Sequence, residues 1–190
     1  MVTSQTLYLC FLSVLAGERG LEVAISTANE RDAFAHGARE VGRGHYPVMA
    51  AMHVLFFVAC AVEVVFYDRP FAGALGCVAL ALVILAQVLR YATVLTLGLQ
   101  WNVRIIVWPS KEPVTRGLYR FVRHPNYVAV VIELACVPLV HGAVVTAAVF
   151  TICNAAMLAV RIREEERALG ERYAKAFRDR PRLIPRIFGE

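Results

Sequence analysis

The sequence predicts an all-α fold: a polytopic membrane bundle of about five transmembrane helices that ends in a helical hairpin and a cytoplasmic C-terminal tail. Three observations carry that expectation. Apolar residues make up 58% of the 190-residue chain and charged residues only 18%, against about half and about a quarter in an ordinary soluble domain. The apolar residues collect into runs near the ~20 residues that one crossing requires. Of the 20 Lys and Arg residues, only Arg69 falls outside the segments that five spans place on one side. The length accommodates one such bundle, so residues 1–190 read as a single domain.

The runs come in order at 2–16, 47–67, 71–89, 127–140 and 143–160. The first has no basic stretch ahead of it and no evident small-residue cleavage site, so it reads as a retained span rather than a signal peptide. Residues 127–160 form one apolar stretch too long for a single crossing at ~1.5 Å per residue through a ~30 Å core. Pro138 and Gly142 mark a break in it, which predicts a tight helical hairpin. Four cations lie in the loop at 18–46, six at 90–126 and nine in the tail, which orients those surfaces to the cytoplasm and the N-terminus outside. The net charge of +5 belongs to these membrane-facing loops, so membrane lipids are the expected partners and nucleic acid is set aside. Cys10, Cys60, Cys77, Cys136 and Cys153 sit in apolar stretches without CxxC or zinc spacing; they read as small buried hydrophobes, and no metal site is expected.

A polar residue within a span is costly and normally meets a partner inside the bundle. Here these are His53, Glu63, Gln87, Arg90 and Glu133. Glu63, near the outer end of its run, reads as interfacial. Glu133 lies ~10 Å deep at ~1.5 Å per residue, too deep for a short side chain to reach the interface. It either pairs with Arg90 or His53 or lines a substrate cavity. In the first loop, residues 20–35 have helical character and form either an interfacial helix or a solvated segment.

The densest chemistry lies at 101–127, WNVRIIVWPSKEPVTRGLYRFVRHPNY, a basic, aromatic and turn-rich stretch. Pro125 disfavours helix at His124 and Gly117 permits a sharp turn, so a folded loop is expected. By composition alone, its Arg and His residues would contact lipid headgroups. A second cluster at 161–185 puts Arg161 and Glu165 on one helical face. Glu164, Glu165 and Glu166 point different ways around that axis, so one of them must face the membrane or the bundle and find a partner.

Four motifs, Gly117-Leu-Tyr119, Arg123-His-Pro-Asn-Tyr127, the Glu165-Glu166 pair followed by Leu169, and the closing Arg182-Leu-Ile-Pro185, together resemble the isoprenylcysteine carboxyl methyltransferase family. Its members are small integral-membrane enzymes that use S-adenosylmethionine, and the implied catalytic portion is 98–190. Glu18-Arg19, Glu22, Asn29, Gly37, Glu40, His45-Tyr46, His53 and the stretch from Arg104 to Val107 are similar to a bacterial branch. That branch O-methylates alkylpyrones and alkylresorcinols made by type III polyketide synthases. The resemblance implies a cofactor pocket lined by Lys111, Glu112, Pro113, Val114, Tyr119, His124, Pro125, Asn126, Tyr127 and Glu165. It gives catalytic roles to Arg161 and Glu165 and sets Arg161 toward the substrate, where the span residues His53 and Glu133 are expected to join it. It further implies a lipid-like acceptor, a type III polyketide synthase as pathway neighbour, and a bacterial plasma membrane with the active site facing the cytoplasm. Competing readings are carboxyl methylation of prenylcysteine, S-methylation of a small thiol, and lipid binding without catalysis. Ala129 and Ala174 stand where the family usually has glycine, and Phe177 where tyrosine is common.

Methyl transfer from a sulfonium is an in-line displacement, so the protein chiefly supplies orientation, which contributes on the order of 7 kcal/mol or more. A carboxylate such as Glu165 suits the cofactor's cationic half, and aromatic rings suit a sulfonium. A permanently charged Arg161 suits an oxyanion acceptor. A phenol with a pKa of ~10 needs a base or a strongly cationic setting; His124 is a candidate for that role as well as for binding cofactor. A carboxylate or an acidic hydroxypyrone needs none.

Overall fold

The computed structural model describes residues 3–185; the expected start of the first span at Val2 and the tail beyond Pro185 lie outside the described residues. Among these, the elements are α1 (Ser4–Ala35), β1 (Arg39–Val41), α2 (His45–Phe66), α3 (Gly73–Leu97), β2 (Ile105–Val107), α4 (Pro125–Leu139) and α5 (Val144–Ala176). The surface is inverted relative to a soluble protein. Leu55, Val58, Val62, Val78, Ile84 and Val88 of α2 and α3 are exposed, as lipid contact demands. In one interior cluster Tyr8 and Leu12 of α1 meet Phe56 and Val64 of α2, Val83 of α3, and Leu134 and Val137 of α4. Ala129 is fully buried.

Five helices answer the five expected spans, but they are unequal. His45–Phe66, Gly73–Gln100 and Val144–Ala176 are long and apolar enough to cross a membrane. With only 15 residues, α4 rises ~22 Å at ~1.5 Å per residue, less than a bilayer core. The 32 residues of α1 take in Glu18 and Arg19, and the stretch 20–35 is its direct continuation rather than a separate interfacial helix or a solvated loop. The all-α expectation also gains a small sheet: β1 pairs antiparallel with β2, Arg39 opposite Val107 and Val41 opposite Ile105. Cys60 and Cys136 are buried as expected, whereas Cys10, Cys77 and Cys153 are exposed.

The segments that the charge pattern assigns to one side do gather at one end of the bundle. Asn29 Nδ2 on α1 donates to the carbonyls of Gly98 (3.2 Å) and Trp101 (2.7 Å). Backbone N–H groups of Arg123 and His124 donate to Pro181 and Arg182 at 2.9 and 3.0 Å. At the other end Gln5 donates to Asp68 (2.6 Å), and the Ala72 N–H meets the Val140 carbonyl at 3.1 Å.

Local signals set the turns that build the site. His124 leaves helical geometry at φ −129°, ψ 64°, and Pro125 opens α4, where a missing N–H costs nothing. The hairpin turns at Gly142, φ +64°. Gly117 combines φ +59° with a wall: a Cβ there would come within 2.8 Å of Thr96 Oγ1, so only glycine fits. In α5 the kink at Gly170, φ 72°, accompanies the packing of Tyr173 and Phe177 against Tyr119.

Glu63 departs from its expected interfacial role. It is buried and accepts from Thr146 N and Thr146 Oγ1, both at 2.7 Å, from Val145 N at 3.4 Å and from Arg69 Nη2 at 3.3 Å. The carboxylate thus satisfies the open N–H groups at the start of α5 and sits at the positive end of its dipole. Glu63→Ala is expected to lower stability by about 1–3 kcal/mol, read as an earlier thermal transition of the purified protein in detergent.

Candidate active site

A cavity of about 830 Å³ opens between α1, α2, α5 and the segment that follows α3. Of the residues expected at the cofactor and substrate site, it brings together His53, Lys111, Pro113, Val114, Tyr119, His124, Asn126, Tyr127, Arg161 and Glu165. Three do not line it. Glu112 is turned to solvent, its side chain 79% exposed beside Arg172. Pro125 occupies the first turn of α4, and Glu133 is engaged elsewhere.

Tyr127 is the centre of the polar wall. Arg161 Nε donates to Tyr127 Oη at 2.8 Å, Tyr127 Oη donates to Glu165 Oε2, and Arg161 Nη2 donates to the Val103 carbonyl at 2.5 Å. Arg161 and Glu165 share a helical face, as their spacing predicts, but the phenol stands between them in place of a direct ion pair. The neighbouring carboxylates go different ways. Glu164 meets Arg167 at the surface (2.5 Å). Glu166 receives Arg182 Nη2 at 2.6 Å and Arg123 Nη1 at 3.4 Å, and lies 3.3 Å from His124 Nε2. His124 stacks on Tyr127, ring centroids 5.3 Å apart.

The segment roofing the cavity is anchored by α1. Val103 N donates to Ser26 Oγ at 3.0 Å, and Ser26 Oγ donates to Glu30 Oε1 at 3.0 Å. Arg104 adds contacts to Glu30 at 3.8 Å and Glu40 at 3.5 Å. The implied catalytic portion at 98–190 is therefore held in shape by a helix outside it.

Glu133 belongs to a second buried network. Arg90 donates Nε to Glu133 Oε1 at 3.0 Å and Nη2 to Oε2, while its Nη1 reaches Glu22 Oε2 at 3.4 Å and Asn126 Oδ1 at 3.3 Å. Arg19 Nη1 joins Glu22 at 3.1 Å. Of the two readings of Glu133, the structure shows the pairing: Arg90 takes both of its oxygens.

The sequence reading missed Trp101, Asn102, Val103 and Trp108, all on the cavity wall. Aromatic residues in a basic segment marked that stretch, but nothing local told a pocket wall from a membrane anchor. Among the described residues, Trp101 Nε1, Trp108 Nε1 and Asn102 Oδ1 are buried without partners. Two donors and an acceptor of this kind match the edge of an adenine, Glu165 matches an ammonium, and Lys111 and Arg172 on the same wall match a carboxylate. The residues present thus fit S-adenosylmethionine. Burial, with Glu165 nearby, pushes the Tyr119 phenol well above its ordinary pKa, so it offers the cavity a neutral hydroxyl.

The sequence model of the isoprenylcysteine carboxyl methyltransferase family matches residues 79–171. The uncharacterized protein YpbQ of Bacillus subtilis (strain 168) is 39% identical over 161 residues, covering 84% of this chain and 95% of that protein. An uncharacterized protein of Haemophilus influenzae is 29% identical over 170 residues, covering 89% of this chain and 96% of that protein. The structure of the eukaryotic intramembrane Ras methyltransferase, isoprenylcysteine carboxyl methyltransferase, matches with a TM-score of 0.57 and 26% identity over 74% of this chain and 53% of that chain. This chain therefore spans about half the length of that enzyme.

Arg90→Met strands Glu133 and is expected to cost ~3–5 kcal/mol of stability. The double variant Arg90→Met, Glu133→Leu should lose clearly less. Thermal unfolding of both variants in one detergent makes the comparison.

Proposed function

The chain belongs to the isoprenylcysteine carboxyl methyltransferase family, and from that premise we propose that it transfers a methyl group from S-adenosylmethionine to a hydroxyl of a membrane-partitioned amphiphile, a long-chain alkylpyrone or alkylresorcinol. Family membership and three apolar helices of spanning length carry the coarser statement, an integral-membrane methyltransferase. The hydroxyl acceptor is our own inference. One observation best supports the amphiphilic character of that acceptor: a single cavity joins a polar wall, with Tyr127, Glu165 and Lys111, to an apolar wall of Val23, Met49, Val54 and Phe57 on α1 and α2. Val54 is also 63% exposed on the lipid-facing surface, so an acceptor with a polar head and a long tail suits both ends.

When bound, S-adenosylmethionine supplies an electrophilic methyl group on a positively charged sulfur. Glu165 would attract the cofactor's ammonium, and the unpaired indole N–H groups of Trp101 and Trp108 and the Asn102 oxygen would hold its base. Arg161 has two of its nitrogens fixed, by Val103 and Tyr127, while Nη1 has no partner among the described residues. That nitrogen steadies the developing acceptor oxyanion, and a guanidinium does so at every physiological pH. The charge pattern sets this end of the bundle toward the cytoplasm. A type III polyketide synthase is the class of enzyme that would supply such an acceptor. Because Arg161 suits a carboxylate equally well, methylation of a prenylcysteine carboxyl is the second reading.

Arg161→Gln is expected to lower kcat about 100-fold with a much smaller loss of cofactor affinity, through the bonds it gives up to Tyr127 and Val103, and Glu165→Gln to weaken chiefly cofactor affinity. Calorimetry beside steady-state kinetics separates the two effects. Lengthening the alkyl tail of a resorcinol should raise kcat/KM steeply, since each buried methylene contributes ~0.8 kcal/mol. Initial rates at fixed surface concentration in mixed micelles test this, and a flat profile contradicts it.

A further inference from the structure

We infer that His53 is the general base that takes the proton from the acceptor hydroxyl, an inference that rests on the hydroxyl methylation proposed above. His53 lies two turns into α2 and lines the same cavity as Arg161. Its Nδ1 is 2.9 Å from the Met49 carbonyl. A carbonyl only accepts, so Nδ1 carries the hydrogen of the neutral ring and Nε2 carries the lone pair. Nε2 has no hydrogen-bond partner among the described residues. The other proton-accepting groups on the wall each carry a charged or hydrogen-bonded partner. Glu22 Oε2 is held by Arg19 and Arg90 while its Oε1 is unpaired, Glu165 Oε2 accepts from Tyr127, and His124 Nε2 faces Glu166. The ionisable groups facing His53 are Arg19 from α1, Arg90 from α3 and Glu133 from α4, with Glu22 of α1 and Arg161 of α5 on the shared cavity wall. Glu133 is paired to Arg90, so it does not compete for Nε2.

The reaction needs such a group. A phenol with a pKa of ~10 is almost wholly protonated at neutral pH, and a positioned base contributes ~10²–10⁴-fold. The acceptor O–H bond breaks and its proton passes to Nε2. The oxygen electron pair forms the new O–C bond, while the electron pair of the breaking C–S bond stays on sulfur as a neutral thioether. The protonated ring then returns its proton to water.

The test pairs two acceptors of equal tail length, 5-pentadecylresorcinol, which must lose a proton, and 4-hydroxy-6-pentadecyl-2-pyrone, which is acidic enough to be ionised at neutral pH. His53→Gln is expected to lower kcat on the resorcinol by ~10²-fold or more and on the pyrone by far less, with S-adenosylhomocysteine affinity unchanged as the measure of intact folding. His53→Ala should regain part of the resorcinol activity on addition of imidazole. A readout independent of turnover uses a long-chain alkyl-4-nitrophenol bound beside S-adenosylhomocysteine. Its absorbance should report ionisation about one pH unit or more lower in the wild type than in His53→Gln, because imidazolium stabilises the bound phenolate. Equal losses on both acceptors with an unchanged ionisation curve would overturn the base and leave His53 a structural residue. A wild type inactive on both acceptors would overturn the methyl-transfer reading beneath it.

Discussion

Arg161 holds a guanidinium in a mostly apolar bundle, and its need for acceptors fixes the site around it. Desolvating such a charge costs several kcal/mol unless its N–H groups are met. Two are met from opposite sides, by Val103 on the roof and by Tyr127 at the start of α4. Each acceptor is itself constrained. Val103 is tied to Ser26 of α1. Tyr127 is placed by the break at His124 and Pro125, and its hydroxyl, having accepted from Arg161, donates to Glu165. Three helices and a loop thus converge on one cation, and the cavity is what remains between them.

Asn126 and Tyr127 are adjacent in sequence but serve different networks. Asn126 turns to Arg90 and, through it, to Glu133 and Glu22; Tyr127 turns to Arg161 and Glu165. The first turn of α4 therefore joins the interior polar cluster of α1, α3 and α4 to the chemical wall of α5. Glu166 adds a third tie, gathering Arg123 and Arg182 so that the segment after α5 closes against the loop before α4. A short helix is adequate for this role because its task is to orient its first turn.

Features carried by neighbouring residues were legible in the sequence. Pro138 with Gly142 gave the hairpin, Pro125 set the boundary at His124, and the four-residue spacing put Arg161 and Glu165 on one face. What depended on distant partners was not legible. The helix from Ser4 runs through Gly17 and Gly20, each costing ~1 kcal/mol relative to alanine, because Ser26 and Asn29 fasten its far half to the roof. Strands of three residues from well-separated parts of the chain carry no alternation long enough to read. Glu63 looked interfacial because the helix start it serves lies far along the chain. At the site, charged and motif residues stood out. Trp101 and Trp108 did not, since an indole reads alike as a membrane anchor or a pocket wall until its N–H is found buried and unpaired.

The proposed methylation of a hydroxyl and the alternative methylation of a carboxyl leave chemically different bonds. The most direct measurement incubates the purified protein in mixed micelles with methyl-labelled S-adenosylmethionine and equal amounts of 5-pentadecylresorcinol and farnesylcysteine. The labelled lipid is then treated with mild alkali. An aryl methyl ether survives, whereas a methyl ester releases its label as volatile methanol. Label that stays in the lipid phase after alkali is the expected result; label recovered only as methanol, or none transferred at all, would contradict hydroxyl methylation.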